Sequence, residues 1–231
     1  SIIMPLLDTD NMINAHIFDV IVIQRVNPYS NTILKKAKKH NIKVVYESDD
    51  DFLDISHDNP SYNYILGNFD HILKLVNNSD KLVVSTNELK NRFNKLGLDN
   101  VEVIKNYYVE DALPLKPFTF RGEDHVKIGY FGTLTHDNDL ELIRNVIVRV
   151  KDIFSKKGVS VIFEIAGASI DDSVDWFNVR KIPYYPMSLR TFYEWLGKNS
   201  DWDVGIIPLA DNNFIRCKSE LKYIEFSALE S

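Results

Sequence analysis

The chain has 231 residues, 45% hydrophobic and 12% aromatic, which is enough apolar side chain for one large core or two smaller ones. Its formal net charge of -6 excludes a broad nucleic-acid surface, because phosphate binding needs clustered Lys and Arg to displace counterions. The single cysteine, Cys217, excludes an internal disulfide and any multi-cysteine metal site and fits a reducing compartment.

Short β-branched runs alternate with amphipathic segments, the pattern of a parallel sheet covered by helices. A strand is predicted over Phe18 to Arg25, then a helix over about Ser30 to His40, whose "KKAKKH" reads as a solvated face. The strand "IKVVYES" follows, then a polar loop, then one helix through "YNYILGNFDHILKLVNNSD", where Ile65, Phe69, Ile72, Leu73 and Val76 recur at helical spacing. "KLVVS" predicts a strand, Thr86 or Asn87 caps a helix to Leu96, and "VEVIKN" is a further strand. From Tyr107 to Asp124 the periodicity lapses among Pro114, Pro117 and Gly122, as in an interdomain linker.

The alternation then restarts. "VKIGYFG" predicts a strand, "NDLELIRNVIVRVKDIFSKKG" one long helix ending at Gly158, and "VSVIFEIAG" and "VRKIPYY" two strands. "LRTFYEWLGKN" is a helix with Tyr193 and Trp195 in a core stripe, "WDVGIIPL" a strand, and "KSELKYIEFSALE" a final helix. The expectation is two α/β domains: residues 1–106, a linker over 107–124, and residues 125–231. No strand precedes Phe18 and none follows the last helix, so both domains are expected to be incomplete pieces of a longer protein.

In open parallel sheets ligands lie beyond the carboxyl ends of strands, and two such domains facing each other form a cleft. The segment "GYFGTLTHDNDL" runs from a strand through Gly132 toward a helix beginning near Asp137, with Thr133, Thr135 and His136 as further donors. It suits either an anion, held by backbone N–H groups and the helix dipole, or a plain capping loop. In "KSELKYIEFSALE", Lys218 and Lys222 are read as one turn apart near a helix start, where cations are unfavourable unless an anion is present. The alternative is a surface helix with Lys222 paired to Glu225. "VYESDDDFLD" places Asp49, Asp50 and Asp51 after a strand. Three readings stand for this triplet: an acceptor-side catalytic loop, a capping or solvated structural loop, or a metal-binding pair.

The combination "KLVVSTNELKNRF...VEVIKNYY", a Pro-containing linker, "IGYFGTLTHDNDLELI", "FEIAG" and "SDWDVGIIPL...KSELKYIEFSALES" resembles bacterial glycosyltransferases of the GT-B fold, close to the GT4 group that builds cell-surface polysaccharides. The resemblance runs in order from about Phe18 to Ser231. It implies two Rossmann-like parallel-sheet domains facing a cleft, with the nucleotide-sugar donor on the second. On the matching positions it implies that Gly132, Thr133 and His136 face the donor's diphosphate, that Lys218 contacts the diphosphate, and that Glu225 binds ribose. Ala166 and Gly167 would lie near the nucleotide base, with Tyr184 to Pro186 supplying base-contacting backbone. Many GT4 members carry two glutamates with seven residues between them; counting back from Glu225, Cys217 stands in the first position.

The resulting expectation is a cytoplasmic glycosyltransferase, acting where the membrane's inner face presents substrates and associating with it peripherally. It would move a sugar from a nucleotide-diphosphate sugar to a saccharide or lipid-linked saccharide, with no cofactor, no metal and no nucleic-acid partner. Asp49 and Asp50 are the candidate catalytic carboxylates. Lys222 joins Gly132, Thr133, His136, Lys218 and Glu225 as the donor-binding set. The competing readings are a nucleotide-sugar epimerase of the same fold and a noncatalytic two-domain binding protein.

Overall fold

A computed structural model of the chain describes residues 17–26, 29–55, 57, 59, 61–108, 124–132, 137–167, 175–183 and 188–229. They fall into two compact units, Ser1–Asn106 with Asn212–Ser219, and Tyr107–Asp211 with Glu220–Ser231. Most of the expected linker, residues 109–123, lies outside the described residues.

The first unit carries a sheet in the order β1 (Val20–Gln24), β2 (Lys43–Ser48), β3 (Lys81–Val84), β4 (Val101–Val103), with every neighbouring pair parallel. Alternation does what a pleat requires in β2, where Val44, Tyr46 and Ser48 are buried while Lys43 is exposed. Between β1 and β2, α1 (Ser30–Lys39) turns Ile33, Leu34 and Ala37 inward and leaves Lys35, Lys38 and Lys39 in solvent.

The helix expected between β2 and β3 forms as two, α2 (Tyr62–Gly67) and α3 (Phe69–Asn78). Gly67 and Asn68 are weak helix formers. Asn68 ends one helix and starts the next with φ -111° and ψ 8°, while its Nδ2 donates to the Tyr64 carbonyl at 2.8 Å. After β3, Thr86 caps α4 (Asn87–Lys95) by accepting from the Leu89 N–H at 3.1 Å. Tyr46, Ile72, Leu75, Leu82, Leu89 and Phe93 form the centre of this unit's core.

The second unit's sheet contains β5 (His125–Phe131), β6 (Ser160–Ala166), β7 (Asn178–Arg180) and the two-residue β8 (Val204–Gly205), in the order β7-β6-β5-β8. All its pairs are parallel, so both sheets conform to the α/β, Rossmann-like expectation. From β5 the chain adds β6 and β7 on one side and then places β8 on the other. The strand order therefore reverses between β5 and β8.

The long helix expected after β5 is broken into α5 (Asp137–Glu141) and α6 (Arg144–Ser155). At the break Ile143 is β-branched, a weaker helix former, and stands at φ -99° and ψ -4° as the residue that opens α6. α7 (Leu189–Asn199) is capped by Ser188, which accepts from the Thr191 N–H at 3.1 Å.

The last expected helix starts later than its sequence suggests, as α9 (Leu221–Ala228) in the second unit; a separate turn before it, α8 (Asn213–Arg216), capped by Asn212, belongs to the first unit. Lys218 therefore precedes α9, which corrects the expectation that Lys218 and Lys222 stand one turn apart on one helix. The cause is local competition for backbone groups. The Cys217 carbonyl accepts from Thr86 Oγ1 at 2.9 Å, outside any helical ladder.

Two glycines fix the second unit's packing. A Cβ on Gly129 would overlap the Trp202 ring, and one on Gly205 would overlap Phe226. Phe226 thus lies flat on β8 and also meets Phe131 of β5 at a ring-centroid distance of 4.9 Å. That contact pins α9 over the strands that flank the reversal.

Candidate functional site

In the first unit the three aspartates follow β2 directly, and each takes a different basic partner. Asp49 Oδ2 accepts from Arg25 at 2.8 Å, Asp50 Oδ1 from Lys218 at 3.0 Å, and Asp51 Oδ2 from Arg92 at 3.1 Å. Side chains that diverge to three separate cations do not chelate one metal ion. Among the described residues no group of three His, Cys, Asp or Glu side chains converges as metal ligands do.

The three pairs differ in exposure. Asp51 is wholly buried; its Oδ1 accepts from the Leu53 N–H at 3.2 Å, and Arg92 also reaches Asp54 at 3.0 Å. Burial pushes the Asp51 carboxyl above its ordinary value, against the opposing pull of Arg92 and the Leu53 amide. Asp51 is thereby a structural clamp between the β2 loop and α4. Asp49 and Asp50 keep 32% and 20% of their side-chain surface, although Asp49 Oδ1 is itself buried and has no hydrogen-bond partner among the described residues. Arg25 ends β1 in the left-handed region at φ 57°, and its hydrogen bond to Asp49 raises the guanidinium above its usual value. Ser85 after β3 donates to the Asp49 carbonyl at 3.3 Å. The ends of β1, β2 and β3 are thus tied together around Asp49.

In the second unit the reversal between β5 and β8 marks the place where open parallel sheets leave a crevice for a ligand. The backbone there is held close. The Gly132 N–H donates to the Ala166 carbonyl at 3.0 Å, and a Cβ on Gly167, which has φ +80°, would stand 2.5 Å from the Gly132 carbonyl oxygen. Across the reversal, the Ala210 N–H donates to buried Asp139 at 2.9 Å, tying the segment after β8 to α5.

α9 delivers the charged groups. Lys222, Glu225 and Phe226 share a helix face at i, i+3 and i+4, so pinning Phe226 to the sheet carries the other two with it. The Lys222 ammonium donates to the Tyr130 hydroxyl at 2.8 Å and the Phe131 carbonyl at 2.6 Å, and lies 4.2 Å from the Tyr130 ring centroid. It would stand 2.9 Å from a Cβ at position 132, so glycine there lets a cation approach the loop backbone. Glu225 is buried and accepts a short hydrogen bond from the Tyr193 hydroxyl on α7. Burial raises the Glu225 carboxyl, while Tyr193 and then Lys222 pull it down.

Gly132, Lys222 and Glu225 are therefore brought together in the second unit, whereas Lys218, the lysine the resemblance assigns to diphosphate, pairs with Asp50 in the first. Thr133, Thr135, His136 and Tyr184 to Pro186 lie outside the described residues. Arg25, Arg92 and Tyr130 carry no local pattern that marks them in the sequence. Tyr193 is buried, as a core stripe requires, but the period of an amphipathic helix carries no sign of the hydroxyl's partner 32 residues on. Cys217 is buried and its thiol is pushed up to about 11 by burial, which makes it a packing residue. None of the described helices is long and apolar enough to cross a membrane. No protein-family model matches the chain, and no curated protein matches it.

Proposed function

We propose that the chain is a GT-B, GT4-like glycosyltransferase that moves a sugar from a nucleoside-diphosphate sugar to a saccharide or lipid-linked saccharide. The observation that carries this reading is the strand order β7-β6-β5-β8, with Gly132, Lys222 and Glu225 gathered at its reversal. A glycine-lined backbone, a fixed ammonium and a buried carboxylate are the three groups needed for a diphosphate attached to a ribose. Charge grows on the departing diphosphate as the glycosidic bond breaks. An ammonium already oriented by the Tyr130 hydroxyl and Phe131 carbonyl stabilises that charge with little reorganisation and without a metal. Glu225 accepts hydrogen bonds from the ribose.

The acceptor hydroxyl needs a base if the reaction inverts, and Asp49 and Asp50, whose side chains are only partly buried, are the candidates. Lipid-linked acceptors imply peripheral work at the inner face of a membrane. The test is calorimetric titration of the whole chain with UDP, GDP, CDP and ADP, with and without Mg2+. One diphosphate is expected to bind equally in both conditions. Absence of binding by all four overturns the transferase reading, and binding only with Mg2+ overturns its metal-independence.

A further inference from the structure

Resting on the proposed nucleoside-diphosphate site, we infer that Tyr193 is the positioning residue that makes Glu225 selective for ribose over 2′-deoxyribose. A carboxylate has two oxygens, and which of them a ligand meets depends on what holds the other. Tyr193 projects from α7 and donates to Glu225 Oε1, and it is the one hydrogen-bond partner the Glu225 side chain has among the described residues. Both groups are buried, Tyr193 at 7% exposure and Glu225 at 8%, so water contributes little to fixing the carboxylate.

The ring is itself immobilised. Tyr193 lies in the cluster of Phe131, Leu196, Trp202 and Phe226, and packs against Phe192 at a centroid distance of 5.8 Å. The donor is therefore fixed to the same packed layer that pins α9. With Oε1 committed to the phenol, Oε2 is the oxygen available to a ligand hydroxyl, and its direction is set by the Tyr193 hydrogen bond. Without that bond the carboxylate can rotate about its last torsion and meet a diol less well.

A neutral donor on Oε1 also favours the ionised form, which is the form that accepts hydrogen bonds from sugar hydroxyls. Glu225 starts from a raised position because it is buried. Removing the Tyr193 hydroxyl raises it further, so binding in the variant fades at a higher pH as the solution is acidified.

The experiment uses the whole chain and whichever of UDP, GDP, CDP or ADP binds wild type most tightly, alongside its 2′-deoxyribose counterpart. Tyr193→Phe keeps the ring. Wild type is expected to prefer the ribonucleotide by about tenfold or more, the worth of one hydrogen bond to a charged group. Tyr193→Phe is expected to erase most of that preference by weakening the ribonucleotide alone, and to shift the acid limb of binding to higher pH. In a Glu225→Gln background, Tyr193→Phe is expected to add nothing.

Equal weakening of both nucleotides by Tyr193→Phe, an unchanged preference, or full additivity with Glu225→Gln each overturns the assignment. If the Phe variant fails to fold, the wild-type comparison decides: no preference for ribose overturns it. Failure of wild type to bind any of the four diphosphates instead overturns the site itself.

Discussion

The buried ion pair of the acidic loop is open to a test that uses its asymmetry. Asp51 has no exposed side-chain surface, while Arg92 keeps 33% and holds a second carboxylate, Asp54. Arg92→Met leaves an uncompensated buried carboxyl. Such losses cost roughly 3–5 kcal/mol, and the partial exposure of Arg92 puts this case near about 3. Asp51→Asn removes charge but retains an acceptor for the Leu53 N–H and leaves Arg92 with Asp54, so about 1–2 kcal/mol is expected. For a chain of this size about 3 kcal/mol lowers Tm by about 6–12 °C.

The pH dependence has a definite sign. Asp51 is raised in the folded protein, so between its ordinary and raised values the native state binds more protons than the unfolded state. Stability from this group is present at low pH and falls as pH rises through the folded value. Arg92→Met raises the carboxyl further, so part of its deficit is recovered as pH falls through that window, by about 1 kcal/mol per unit. The assay is urea unfolding at pH 7 and pH 5, followed by far-UV circular dichroism and by tryptophan fluorescence. All three tryptophans, at positions 176, 195 and 202, lie in the second unit, so dichroism carries the signal of the first. Asp51→Asn costing as much as Arg92→Met, or a deficit in Arg92→Met that grows on acidification, would refute the reasoning.

Gly132→Ala places a Cβ 2.7 Å from the Tyr130 hydroxyl and 2.9 Å from the Lys222 ammonium, and the flexible lysine yields first. Nucleoside-diphosphate affinity is expected to drop about tenfold with Tm nearly unchanged, measured by calorimetry and thermal melting. Asp49→Asn and Asp50→Asn are expected to differ: the true base loses about 10²-fold or more in turnover with little change in donor affinity. Wild-type turnover in both variants would leave the two residues as ion-pair partners only. Gly129→Ala drives a methyl into the Trp202 ring and is expected to destabilise by at least about 1–3 kcal/mol, read as a lower urea midpoint in tryptophan fluorescence.

Much of the fold was legible because its determinants are local. The period-2 runs of β2 and β6 and the apolar face of α1 announce what each segment must bury, and that pattern locates strand and helix without knowledge of their neighbours. Thr86 was readable as a cap for the same reason, since its acceptor serves a backbone N–H three residues away. The helix breaks at Asn68 and at Leu142 to Ile143 were not, because the apolar spacing continues through both and only backbone preference opposes it.

The sequence alone thus determined two α/β units of parallel strands, because burial and backbone hydrogen bonding repeat at short range. Tertiary structure decided which cation meets which carboxylate. The partners of Asp49, Asp51 and Asp50 lie 24, 41 and 168 residues away, separations that no local period encodes. It also decided that Lys222, rather than Lys218, approaches Gly132, and that Tyr193 reaches Glu225. Those pairings follow from the order β7-β6-β5-β8 and from Phe226 resting on Gly205, where the absence of one side chain sets the position of a whole helix.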